Sequence, residues 1–206
     1  MLECVVECVL YVVCEFTGMR GFPLFFCADH TSPAIFMLEC LGHWQLCCTC
    51  ICHQLFLLQA KVAALKELRE RASTEAGSRT ITVAEIRSAV ASTEPAHAET
   101  AEWFCRFMCR LPSCLKSAGC DLIMVAGAIP VIFDQLLRWP AEANVVVNAC
   151  IALNNLATLG SAAVQSAMRS VPDCEALLRA ARASGLDVDS RDGERMAASV
   201  LQNLGL

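Results

Sequence analysis

The densest run of reactive side chains in the chain is CCTCICH, which brings together Cys47, Cys48, Cys50, Cys52 and His53. Such residues can ligate zinc, pair as disulfides or carry acyl chains. A zinc site needs two ligand pairs from separate knuckles. Cys47 and Cys50 make one pair, but Cys27, His30, Cys40 and His43 lack the spacing and turn residues for a second. No metal is expected there. Nine of the fifteen cysteines fall in the first 52 residues, an odd total at irregular spacing with no secretory signal of the usual form, which argues against a disulfide framework. A reducing, cytoplasmic location is the expectation. Palmitoylation of Cys47, Cys48, Cys50 and Cys52 is the remaining chemistry, because an acyl chain adds membrane affinity to a segment that inserts only marginally. A poorly specified leader with no chemistry is the simpler reading of the same residues.

A second chemical candidate is DVDSRDGER, Asp187 to Arg195, which superficially resembles a calcium loop. Gly193 takes the seventh position and Ala198 the twelfth, where calcium requires a bidentate Glu. The stretch reads instead as a solvated loop. No phosphate-binding Gly loop, nucleophile elbow or metalloprotease helix occurs, and His97 lies in the polar run STEPAHAET. The expectation is a non-enzymatic protein without cofactors.

Asparagines supply the third candidate. VVVNACIALNNLATLG, residues 145–160, sets Asn148, Asn154 and Asn155 within an apolar helical pattern, where each Asn costs about 0.6 kcal/mol relative to Ala. Asn155-Leu156-Ala157 recurs 48 residues later as Asn203-Leu204-Gly205. In register, Ala149, Ala152, Leu153 and Leu156 match Ala197, Val200, Leu201 and Leu204. A fainter copy 45 residues earlier holds Phe104, Phe107, Met108 and Leu111, with Arg110 in place of the asparagine. Ile129-Pro130 likewise recurs 42 residues on as Val171-Pro172. Such spacings lie near the period of helical repeats, whose units bury their apolar faces by stacking.

The elements that must position these residues divide the chain by composition. Residues 1–60 hold five acids and one base, against sixteen acids and fifteen bases afterwards. They form a Cys-rich hydrophobic leader. Within it, residues 44–60 carry no formal charge for 17 residues, the lower edge of a membrane span, and the bases that follow would set the C-terminal side in the cytoplasm. Residues 61–79 read as a charged helix, KVAALKELRER, followed by a linker at STEAGSR. Residues 80–206 read as helical repeats, with ITVAEIRSAV an early helix. The chain's net charge is −5 and it shows no strong basic surface, so nucleic acid is not an expected partner.

DLIMVAGAIPVIFDQLL, Asp121 to Leu137, resembles the short first helix, Gly-Ala-Ile-Pro turn and second helix of an armadillo repeat, and NACIALNNLA, Asn148 to Ala157, resembles its long third helix. One repeat, from about Asp121 to Gly160, matches well. The following one, Ser161 to Leu206, has Arg169-Ser170 where Gly-Ala would stand, and the first, from about Thr80 to Ser117, is degenerate. The resemblance implies an all-α chain, a short right-handed armadillo-like α-solenoid of about three repeats behind the leader. It further implies that Asn155, Asn203 and their flank neighbour Asn148 lie on a groove of third helices that binds the main chain of an extended partner peptide; an amide both donates and accepts. A structural role for Asn155 and Asn203 between adjacent repeats is the alternative. In the importin-α branch a Trp stands four residues before the Asn; here those positions are Ile151, Ser199 and Arg106, so recognition of basic nuclear signals is not expected. Arg106 and Arg110 join the asparagines as candidate partner-binding residues, and a membrane-attached adaptor is the rival expectation.

Overall fold

In a computed structural model, residues 53–94, 97–183 and 191–206 are described; Cys47, Cys48, Cys50 and Cys52, and most of the uncharged stretch before residue 60, lie outside them. Helices account for all the regular structure among the described residues. The first, α1, covers residues 53–71 and passes through residue 60 without a break, so the expected edge of the leader falls inside a helix. Val62 and Leu65 are buried and Leu68 packs against the core, as their helical spacing predicts.

Nine helices follow among the described residues, in an order that repeats three times as short, intermediate and long. The first set is α2 (Glu75–Ser78), α3 (Val83–Ser92) and α4 (Ala98–Leu115). The second is α5 (Ser117–Val125), α6 (Ala128–Arg138) and α7 (Ala143–Leu159). The third is α8 (Ala162–Arg169), α9 (Cys174–Ala183) and α10 (Arg191–Leu204). The long helices make the most extensive contacts, α4 with α7 and α7 with α10.

Local chemistry explains the boundaries. Thr82 and Glu85 form a reciprocal capping box at the start of α3: the Thr82 Oγ1 accepts from the Glu85 amide at 3.2 Å, and Glu85 Oε2 accepts from the Thr82 amide at 2.8 Å. Arg71 donates to Glu85 Oε1 at 2.7 Å, and together with the Thr82 amide it holds the Glu85 carboxyl below its ordinary pKa. Gly127 breaks α5 from α6 at φ 75°, a left-handed conformation that suits glycine, and the two helices meet at 81°. Pro130 then occupies the third position of α6, inside the first turn, where its missing N–H costs little. Its sequence counterpart Pro172 instead lies two residues before α9, where Asp173 takes a φ of 56°.

The register read from sequence coincides with burial. Phe104, Phe107, Met108 and Leu111 of α4 are fully buried, as are Ala149, Ala152, Leu153 and Leu156 of α7; Ala197, Val200, Leu201 and Leu204 of α10 are buried too. A fully buried Leu or Phe is worth about 1.5–3 kcal/mol over an exposed one, so the large side chains among these twelve positions contribute substantially to the packing of the long helices. α7 is apolar on two sides because it packs on both α4 and α10. The polar run expected to loop before residue 195 is already helical from Arg191. Gly193 explains this: it is buried, and a Cβ there would come within 3.2 Å of Val147 on α7, so close packing outweighs glycine's poor helix propensity. No single helix among the described residues is long and apolar enough to cross a membrane; only the bent pair α5–α6 passes by composition.

Candidate functional site

Helical spacing sets one face of α4. Arg106, Cys109, Arg110 and Ser113 stand at i, i+3, i+4 and i+7, and all four line a cleft of about 400 Å³. Asn148 and Ile151 of α7 form its facing wall, and Arg69 of α1 closes a third side. Three helices far apart in sequence therefore supply three guanidinium groups, an amide, a hydroxyl and an apolar side chain to one concavity.

Two of the three cations are already compensated. Arg69 pairs with Glu70, and Arg106 Nη2 lies 2.7 Å from Glu102 Oε1. The Arg106 guanidinium also lies 4.9 Å from the ring centroid of Trp103, and the Lys66 ammonium lies at the same distance from that ring, within cation–π range. Lys66 is 3.8 Å from Glu99. Arg110 is exposed and has no side-chain hydrogen bond or ion pair among the described residues.

Cys109 at the cleft floor is buried, and its Sγ donates to the Asn148 carbonyl at 2.9 Å. Burial pushes its thiol up to about 12, although the neighbouring Arg110 charge pulls the other way. Burial likewise raises Cys150 to about 12, and raises Cys105, with smaller contributions there from Cys109 and Cys150. Nucleophilic chemistry requires thiolate, so these are inert packing thiols at neutral pH. Among the described residues no group of His, Cys, Asp or Glu is arranged to hold a metal ion.

The asparagines separate into distinct roles. Asn155 Nδ2 donates across the α4–α7 contact, to the Cys109 carbonyl at 3.1 Å and to Ser113 Oγ at 3.3 Å. Asn203 Nδ2 donates across the α7–α10 contact to Thr158 Oγ1 at 3.3 Å, and to Ser199 Oγ on its own helix at 3.3 Å. Ser113 and Thr158 each stand three residues past the position aligned with the asparagine, so one bridge recurs between successive long helices. Asn148 donates only to Asn144 O, one turn back at 2.6 Å, and lines the cleft. Asn154 Oδ1 is buried without a hydrogen-bond partner among the described residues, and nothing in the structure explains it.

Of the residues singled out from sequence, Arg106, Arg110 and Asn148 come together at the cleft. Asn155 adjoins it from behind through Ser113, while Asn203 belongs to the next contact along. Sequence reasoning missed Arg69, Ile151 and Ser113 as lining residues. The hydroxyl offset at Ser113 and Thr158 was a usable signal for the bridge. A second concavity, of about 540 Å³, lies between Arg169, Cys174, Arg179 and Leu206. Its cations are occupied: Arg169 donates to the Leu204 carbonyl at 3.2 Å, and Arg179 pairs with Glu175 at 2.7 Å. Comparison with family models, with curated proteins and with solved structures found no match to the chain.

Proposed function

We propose that the chain is a non-enzymatic protein-binding module, an armadillo-like right-handed α-solenoid of about three repeats, that takes a partner segment along its long third helices. The threefold short, intermediate and long order supports the repeat reading, as does the burial of matched positions in α4, α7 and α10. The observation that carries the binding reading is the cleft itself. One face of α4 opens between α1 and α7, leaving polar groups in a concavity beside the packed core. A surface already assembled by folding binds an extended segment without first having to order itself.

In this reading Asn155 and Asn203 set the spacing of adjacent third helices, whereas Arg110 and Asn148 meet the partner and Arg106, held by Glu102, lends the cleft positive potential. The rival, a membrane-attached adaptor, has one observation in its favour: Leu55, Phe56 and Leu57 at the start of α1 are exposed. Selecting peptides from a random displayed library against the whole chain, then measuring their affinity for variants, tests the groove. Arg110→Ala, Asn148→Ala and Ile151→Ala should each weaken the selected peptides, with Arg179→Ala as a distant control. Peptides that bind all four variants like the parent would overturn the proposal.

A further inference from the structure

Charge at the cleft points to the chemistry of its occupant. The chain as a whole carries −5, yet three guanidinium groups converge on one concavity. Glu70 neutralises Arg69 and Glu102 neutralises Arg106 within the protein. Arg110 alone is left without an anion, so the cleft has one uncompensated positive charge among the described residues. A carboxylate balances it; a phosphate dianion would leave a negative excess.

The other lining groups specify what surrounds that carboxylate. Ile151 is half-buried and offers an apolar surface on the opposite wall. Asn148 spends one N–H on Asn144 O, and its Oδ1 accepts no hydrogen bond among the described residues, which leaves an acceptor for a main-chain N–H. Ser113 Oγ already donates to the Cys109 carbonyl at 2.9 Å and accepts from Asn155, so it is committed to the protein.

Resting on the third-helix reading above, we infer that the cleft recognises an extended segment of a partner protein whose Asp or Glu carboxylate pairs with Arg110 while a neighbouring apolar side chain covers Ile151. Arg106 is held by Glu102 and by the Trp103 face, so it contributes positive potential and shape, and Arg110 makes the contact. Arg110 is exposed, so its pair with a carboxylate is worth about 0.2–1 kcal/mol, or roughly two- to fivefold in affinity.

The test uses the full chain and four fluorescein-labelled dodecapeptides read by fluorescence anisotropy: repeats of Glu-Ser-Leu, and the same peptide with Gln, Lys or phosphoserine in place of Glu. The Glu peptide should bind about two- to fivefold more tightly than the Gln peptide, and the Lys peptide should be weakest. Arg110→Gln should erase the difference between Glu and Gln, Arg110→Lys should keep part of it, and Arg179→Gln should leave it intact. Equal binding of Glu and Gln peptides overturns the inference, and so does tighter binding of phosphoserine than of Glu. If none of the four binds while library-selected peptides still do, the acidic specificity falls and the groove stands. If neither set binds, both fall.

Discussion

Replacing Asn155 by Ala removes both hydrogen bonds that cross from α7 to the last turns of α4, to Cys109 O at 3.1 Å and Ser113 Oγ at 3.3 Å. Two such bonds are worth about 2 kcal/mol together at a typical net value of about 1 kcal/mol each. Ala returns about 0.6 kcal/mol of helix propensity, which leaves a net loss of about 1.4 kcal/mol. For a chain of this size that lowers the melting temperature by about 3–6 °C. The same substitution at Asn148 removes only a bond within its own helix and regains the same propensity, so its stability should stay within about 0.5 kcal/mol of the parent. Urea unfolding followed by far-UV circular dichroism measures both, with a constant slope confirming that the midpoint reports stability. A double-mutant cycle with Ser113→Ala then isolates the cross-helix term. Asn155→Ala should cost about 0.5–1 kcal/mol less when Ser113 is already Ala. Equal costs in the two backgrounds, or an Asn148→Ala variant as destabilised as Asn155→Ala, would refute the assignment of Asn155 to the helix contact.

Two further outcomes follow from the packing. Gly119→Ala should destabilise the fold by about 1–3 kcal/mol in the same urea assay, because a Cβ at that position would stand 2.5 Å from the Leu111 carbonyl, a backbone atom that cannot swing aside; an unchanged midpoint would mean that α5 does not approach the end of α4 so closely. The buried thiols predict alkaline sensitivity. Cys109 and Cys150 titrate near 12 in the folded chain against 9.0 when unfolded, so the stability they contribute is fully present below about 9 and is lost as pH rises towards 12. Each adds a slope of at most about 1.4 kcal/mol per pH unit in that window. Cys109→Ala and Cys150→Ala should each flatten the decline, and peptide-resolved alkylation at pH 8 should label these two cysteines only after unfolding.

How much of this was readable beforehand depended on distance along the chain. Apolar positions at spacings of three and four lie within one helix, and they identified the buried faces of α4, α7 and α10 from periodicity alone. The capping pair Thr82 and Glu85 is equally local. Contacts set by the angle and offset between helices were not legible. Lys116 turns the chain at φ 54° after α4, bringing Gly119 against Leu111, and no composition rule marks a lysine for that conformation. The start of α10 was hidden for a related reason, since Gly193 weakens the local helix signal while its lack of a side chain is what admits Val147. The cleft joins Arg69 to Asn148 across three helices, so its membership follows from packing, although Arg106 and Arg110 were already candidates through the repeat alignment and Asn148 through the flank it shares with Asn155.

That alignment also accounts for the odd residue in the series. At matched positions the long helices carry Arg110, Asn155 and Asn203, and each asparagine finds a hydroxyl on the preceding helix, Ser113 or Thr158. Counting back from Arg110 by the same 42 or 45 residues reaches Leu68 or Leu65 on α1, which pack into the core and offer no hydrogen-bonding group. An amide at position 110 would therefore lack the partner that makes Asn155 and Asn203 worth their helix cost. A guanidinium on a long, flexible stem has no such requirement, because it reaches solvent, and α4, the long helix that shows no such hydroxyl bridge to α1 among the described residues, is the one whose Arg110 lines the cleft. The residue that departs from the asparagine pattern is thus the same one that gives the cleft its charge without an ion pair among the described residues.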